Sequence, residues 1–295
     1  MIRNDYLLKA IDSQQQVRVL IANTTGVVEE AHRRHNTSAT ASAALGRVLT
    51  ATIMMGTDMK GPQDVVTVRI NGNGIGGPII VTADNQGNGR GFISNPGADL
   101  EPRYPGKLAV GELVGKEGYI EVVKDLGLKH PFIGRVPLVS GEIAEDFTQY
   151  FMTSEQIPSL VSLGVLVGPG LNIEAAGGLF VQALPGADDA VLAMIEQNVT
   201  ELGPISSVMK TYDSLENALD LVMKGIGYNI IGEHQLAFRC NCSRERLAVI
   251  LSSLGEEDIE YIFEQEGKLE AVCNFCQEKY EYTPEEILAL KKQKP

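Results

Sequence analysis

The sequence predicts an α+β protein: N-terminal helices packed on a mainly antiparallel sheet, then a helical linker, then a small C-terminal module. Three observations carry this. Apolar residues recur with period two through most of residues 65–183, the spacing of half-buried strands, after a helical stretch at 25–55. From residue 186 the pattern turns helical and amphipathic. All four cysteines then fall in the last fifth of the chain, as Cys240-Asn241-Cys242 and Cys273-Asn274-Phe275-Cys276 with thirty residues between the pairs.

Taken in order, Tyr6–Ile11 and Val17–Ala22 read as strands joined by the polar turn Ser13-Gln14-Gln15-Gln16. Thr24 or Thr25 caps a helix running to His35, and a second helix starts near Ser38 or Thr40. The Ala-, Leu- and Met-rich run Ala41–Met55 suits a buried, tightly packed helix. Strands follow at Val65–Ile70, Pro78–Ala83, Arg90–Ser94, Gly118–Lys124 and Phe132–Val139. A helix at Ile143–Met152 precedes strands at Leu160–Val167 and Asn172–Ala183. Residues 1–185 therefore form the α+β domain, and Pro185-Gly186-Ala187-Asp188 marks its end.

Residues 186–231 are the linker. Val191, Leu192, Met194 and Ile195 share one face of a first helix, and Leu215, Leu219, Val222 and Ile226 line a second. Helices this short need a surface to cover. Residues 232–295 form the module. Ser243 N-caps a helix through Leu247, Ile250, Leu251 and Leu254, which Gly255 closes at C′. A helix from Asp258 to Gln265 and a hairpin of Leu269–Val272 with Tyr280–Tyr282 come next, the second cysteine pair at the hairpin tip. Thr283-Pro284-Glu285-Glu286 is a capping box opening the last helix. So few apolar side chains make a thin core, and a segment of this size needs a staple.

Composition narrows the function classes. At 295 residues with 44% hydrophobic and 21% charged, the chain is an ordinary globular protein with room for two domains. A net charge of −13 argues against nucleic acid, and the module alone carries thirteen acidic against five basic residues between Gly232 and Ile287. Leu160–Leu171 is too short and too broken by Gly164, Gly168, Pro169 and Gly170 to span a membrane, so no membrane partner is expected. Met1-Ile2-Arg3-Asn4-Asp5-Tyr6 lacks the apolar core of a signal peptide, and a cytoplasmic location is expected.

Most motif matches dissolve on inspection. Gly72-x-Gly74-x-x-Gly77 copies the dinucleotide fingerprint, but Pro78-Ile79-Ile80-Val81 follows where a helix is required, so it reads as a hairpin turn. His32 and His35 lie beside Glu29, Glu30, Arg33 and Arg34 on what reads as a solvated, charged helix face. No nucleophile elbow or P-loop is present, and no enzyme active site emerges.

The cysteines differ in kind. Cys240, Cys242, Cys273 and Cys276 make a four-thiolate zinc site on paper, and equally two potential disulfides. Arg239, Arg244 and Arg246 flank the first pair and Cys242 opens a helix, both favouring thiolate. The geometry that ligates zinc differs from the one that closes a disulfide across Cys-x-Cys, so oxidation is expected to expel the metal and break the staple. A structural zinc ribbon in a binding or adaptor protein, and a thiol–disulfide oxidoreductase using Cys273-Asn274-Phe275-Cys276, stand as alternatives.

Phe238-Arg239-Cys240-Asn241-Cys242-Ser243-Arg244-Glu245-Arg246 with Cys273-Asn274-Phe275-Cys276 resembles the signature of the redox-regulated 33-kilodalton heat-shock chaperones of bacteria. Thr40-Ala41-Ser42-Ala43-Ala44-Leu45-Gly46-Arg47 and Tyr150-Phe151-Met152-Thr153-Ser154-Glu155-Gln156-Ile157-Pro158 extend the similarity through the N-terminal domain. The resemblance implies an ATP-independent holdase, inactive while the four cysteines hold one zinc ion. It also implies disulfides Cys240–Cys242 and Cys273–Cys276 on oxidation, zinc release, unfolding of module and linker, binding of unfolded client proteins, and a homodimer when active.

Overall fold

The computed structural model describes residues 2, 4–102, 104 and 106–292, and the chain divides into two compact units, Met1–Arg239 and Cys240–Pro295. In the first unit, β1 (Tyr6–Asp12), β2 (Val17–Asn23), α1 (Thr25–His35) and α2 (Ala39–Gly56) precede β3 (Val65–Asn71), β4 (Ile79–Asp84) and β5 (Asn88–Ile93). Next come α3 (Val110–Val114), β6 (Tyr119–Asp125), β7 (Phe132–Pro137) and α4 (Ala144–Tyr150), which widens into a π turn at Phe151–Glu155. β8 (Ser159–Val167) and β9 (Ile173–Ala183) lead to α5 (Asp189–Leu202), α6 (Ile205–Thr211), α7 (Leu215–Val222), β10 (Tyr228–Gln235) and β11 (Ala237–Phe238).

The antiparallel pairing is divided between two sheets, in the orders β10-β1-β2-β9-β8 and β11-β5-β4-β3-β6-β7, with only β11 running parallel to its neighbour. Helix α2 packs between them, and sixteen of its eighteen residues are buried. Its composition explains how it fits. Ala41, Ala43, Ala44 and Ala51 keep the flanking layers close, and a Cβ at Gly46 would lie 2.6 Å from Val28 Cγ1 and 2.9 Å from Val165 Cγ2. The hydroxyls it buries are satisfied: Thr50 and Thr52 donate to the carbonyls of Gly46 and Val48 at 2.8 and 2.7 Å.

A second core lies on the other face of the five-stranded sheet. Leu8, Ala10, Val17, Val19, Ile21, Leu179 and Val181 pack there with Ile195 of α5, Ile205, Val208 and Met209 of α6, and Leu215, Leu219 and Val222 of α7. The amphipathic linker does cover apolar sheet, as its spacing predicts. Two details differ from the sequence reading. Gly203-Pro204 divides the helical stretch so that α6 intervenes, and α7 ends at Val222, Ile226 returning to Met223 through a turn at Gly225 (φ 81°). Residues 232–239 also stay with the first unit, because β10 pairs along β1 from Tyr6↔Gln235 to Asp12↔Tyr228.

The glycine-rich loop between β3 and β4 is a clasp, with a strand after it as expected. A Cβ on Gly74 would meet the Leu113 carbonyl oxygen at 2.2 Å, and the amides of Gly74 and Gly76 donate to Val114 and Leu113 at 2.9 and 2.8 Å. The histidines of α1 correct the sequence reading in part. Glu30 does pair with Arg33 and Arg34, but His35 is buried and His32 Nδ1 lies 3.1 Å from Thr37 Oγ1 and 3.2 Å from Ser42 Oγ. A helix packed on α2 turns that side of itself inward.

The second unit contains α8 (Arg244–Leu251), α9 (Glu256–Glu266), the hairpin β12 (Leu269–Val272) and β13 (Lys279–Tyr282), and α10 (Pro284–Lys292). Among the described residues its core has five buried members, Ala248, Ile259, Leu269, Tyr282 and Ile287, with partly buried residues such as Leu251 and Ile262 packed against them. The capping box forms reciprocally, Thr283 amide to Glu286 Oε2 at 2.9 Å and Glu286 amide to Thr283 Oγ1 at 3.3 Å. Gly255 is not the left-handed terminus expected of it. It has φ −61° and N-caps α9, since α8 ends four residues earlier and leaves room for a turn.

Candidate metal centre

Local structure presents each cysteine pair. Beyond β12 the chain turns back sharply: the Cys276 and Gln277 amides both donate to the Cys273 carbonyl, at 3.3 and 2.7 Å, and Gln277 adopts φ 59°. The Cys273 amide donates to the Glu278 carbonyl at 2.9 Å and closes the hairpin. Ahead of α8, Ser243 Oγ accepts from the Arg246 amide at 3.3 Å, and the Arg246 guanidinium donates to the Asn241 carbonyl at 2.9 Å. Each pair is thereby held by local hydrogen bonds, backbone to backbone around Cys273–Cys276 and side chain to backbone after Cys242.

The hairpin and the start of α8 bring the pairs together. The sulfurs of Cys240, Cys242, Cys273 and Cys276 all lie within 4.8 Å of one another. Among the described residues this is the one cluster of three or more ligating side chains able to hold a metal ion. Across the pairs, Cys240 lies 3.8 Å from Cys273 and Cys242 lies 3.4 Å from Cys276, and no disulfide joins any of the four. Cys273 and Cys276 are 7% and 2% exposed, while Cys240 and Cys242 are half-buried.

The thiols are not electrostatically equivalent. Burial pushes Cys240 and Cys276 up, more so for Cys276, where the neighbouring sulfurs of Cys242 and Cys240 add to it. Cys242 lies below its ordinary value: burial opposes ionisation there, but hydrogen bonds from the Tyr280 hydroxyl and the other cysteines outweigh it. A cation among the four would stabilise all of them as thiolates, which is the donor set that such a cluster offers.

The arginines are placed differently from the expectation that they polarise the thiols. Arg244 pairs with Glu286 at 2.9 Å, donates to the Glu281 carbonyl at 2.5 Å and lies 4.5 Å above the Tyr282 ring. Arg246 is taken by Asn241. The polar neighbour of the cluster is instead Tyr280, whose hydroxyl is 3.4 Å from Cys242 Sγ. Sequence reasoning passed over this residue; the available signal was two tyrosines at alternate positions of the strand after Cys-x-x-Cys.

Fold and site define a two-unit protein in which an α+β domain is followed by a small module assembled on four thiols. The family described as Hsp33 protein matches residues 5–283. The 33 kDa chaperonin of Clostridioides difficile (strain 630) is 45% identical over 289 residues, 98% of this chain and 99% of that protein. That of Geobacillus kaustophilus (strain HTA426) is 45% identical over 287 residues, 97% of each. The crystal structure of the 33 kDa chaperonin (heat shock protein 33 homolog) of Thermotoga maritima superposes with a TM-score of 0.89 at 34% identity, covering 98% of both chains. The chain belongs to the Hsp33 family.

Proposed function

We propose that this protein is an ATP-independent holdase chaperone switched by oxidation. Its family and the chaperonin names of its relatives support the chaperone activity. The observation that carries the switch is a four-thiol cluster in a small module whose core, among the described residues, has only five buried members. In the reduced chain Cys240, Cys242, Cys273 and Cys276 hold one zinc ion. Sulfurs 2.3 Å from a tetrahedral centre are about 3.8 Å apart, and a cluster whose sulfurs all lie within 4.8 Å of one another, with contacts of 3.4 and 3.8 Å across the pairs, suits that. Bound there, zinc contributes folding free energy that this core lacks.

Peroxide is the oxidant class the thiols would meet. A cysteine thiolate attacks one peroxide oxygen, an S–O bond forms, the O–O bond breaks and hydroxide leaves. The neighbouring thiolate then displaces the sulfenic oxygen, forming the disulfide; two thiols and one peroxide yield one disulfide and two waters. Disulfides Cys240–Cys242 and Cys273–Cys276 consume all four donors, the module loses its staple, and the linker that follows the α+β domain is destabilised. The apolar sheet face under α5, α6 and α7 then becomes available to unfolded clients, and the active form is a homodimer in the cytoplasm. Among the described residues no helix is long and apolar enough to cross a membrane.

The deciding experiment treats reduced, zinc-loaded protein with peroxide at mildly unfolding temperature, following zinc release and suppression of client aggregation together. Both should rise in parallel. Zinc that stays bound, or leaves with no gain in anti-aggregation activity, would point instead to a purely structural zinc ribbon.

A further inference from the structure

The strand β13 joins the hairpin to the first cysteine pair by contacts that need no metal. Its residues alternate across the hairpin, Ala271↔Tyr280 and Leu269↔Tyr282 in register, so Tyr280 and Tyr282 share a face. The other face carries the charges, Lys279 pairing with Glu270 and Lys268 with both Glu270 and Glu281. On the tyrosine face, Tyr282 is buried and its hydroxyl donates to the Arg244 carbonyl at 2.8 Å, in the first turn of α8. Two residues earlier in each segment, the Tyr280 hydroxyl meets Cys242 Sγ at 3.4 Å, its ring packed against the small core.

We infer that Tyr280 is a positioning residue for Cys242, donating to its sulfur, holding it at the cluster and retarding both release of the metal and attack on an oxidant. This deepens the proposed function and rests on that reading of the four thiols as zinc ligands. The chemistry follows from the donor set. A thiolate has no proton to give, so in the bond to Cys242 the phenol is the donor and the sulfur lone pair the acceptor. A hydrogen bond to that sulfur draws off electron density, so the thiolate is a weaker nucleophile toward peroxide and is held in place at the cluster. Of the two less buried cysteines, Cys242 is the one held in this way, while Tyr282 supports the adjacent backbone without touching sulfur.

The full-length, zinc-loaded, reduced protein tests this with Tyr280→Phe, which deletes one oxygen and keeps the ring, beside Tyr282→Phe as comparator. Zinc transfer to a chromophoric chelator should be about tenfold faster in Tyr280→Phe, the lower end of what loss of an outer ligand contact costs. Iodoacetamide labelling resolved by mass spectrometry should show Cys242 gaining reactivity several-fold more than Cys273 or Cys276, with no such bias in Tyr282→Phe. Unchanged transfer and labelling would overturn the inference. So would an equal gain at all four cysteines, which is what general loosening or unfolding of the module produces. Neither readout uses client aggregation: a protein that releases zinc to peroxide without becoming a chaperone would refute the function and leave the role of Tyr280 standing.

Discussion

Cys240 shows why one atom can decide the state of a module. Its sulfur lies 3.8 Å from that of Cys273, and the serine that would replace it presents a neutral hydroxyl where zinc prefers a soft thiolate. With three donors left and a thin core to fall back on, the second unit should not stay folded. Cys240→Ser is therefore expected to lose tight zinc binding and to be cut by protease at sites beyond Arg239 that are resistant in the zinc-loaded parent. Zinc stoichiometry and limited proteolysis measure this directly, and an unchanged digestion pattern would argue that the core, not the cluster, holds the module.

The linker helices differ sharply in how they are held. Helix α7 buries Leu215, Ala218, Leu219 and Val222 over eight residues, whereas fourteen-residue α5 buries only Ile195 and Asn198. Asn198 acts as a latch: its side-chain amide donates to the carbonyls of Val222 and Lys224, at 3.0 and 2.9 Å, just where α7 ends and those acceptors lack helical partners. Asn198→Ala leaves both carbonyls without this donor, and about 1–3 kcal/mol of local stability should go with them. Hydrogen exchange should then quicken across 189–202 while α2, buried between two sheets, keeps its protection. Equal protection of α5 in the variant would mean that apolar contacts alone secure it.

At the scale of the molecule, the two units depend on different physics. The first has two extensive cores, one on each side of the five-stranded sheet. The second is a set of short elements around a thin core and a thiol cluster. Removing zinc with a chelator under reducing conditions should therefore abolish the thermal transition of Cys240–Pro295 and leave that of Met1–Arg239 in place. Calorimetry, with exchange assigning each transition, makes the comparison. Loss of both transitions together would show the first unit to depend on the metal as well.

Much of this was legible in the residues. The period-two stretches, the small-residue helix at 41–55, the capping box at Thr283 and the two cysteine pairs each depend on local spacing, and local spacing is what a sequence carries. The pairs also pointed to the four sulfurs that the fold brings within 4.8 Å of one another. Other features arise only when distant segments meet. Nothing near Tyr228–Gln235 announces that it will pair with β1, nothing in α1 says that His35 is buried, and Arg244 looked like a partner for sulfur until Glu286 and Tyr282 claimed it. The same holds for Tyr280, separated from Cys242 by 38 residues and brought to its sulfur by the fold of the hairpin. The sequence by itself determined which atoms could bind a metal; tertiary structure decided which groups surround them, since hydrogen bonds and burial depend on neighbours in space rather than along the chain.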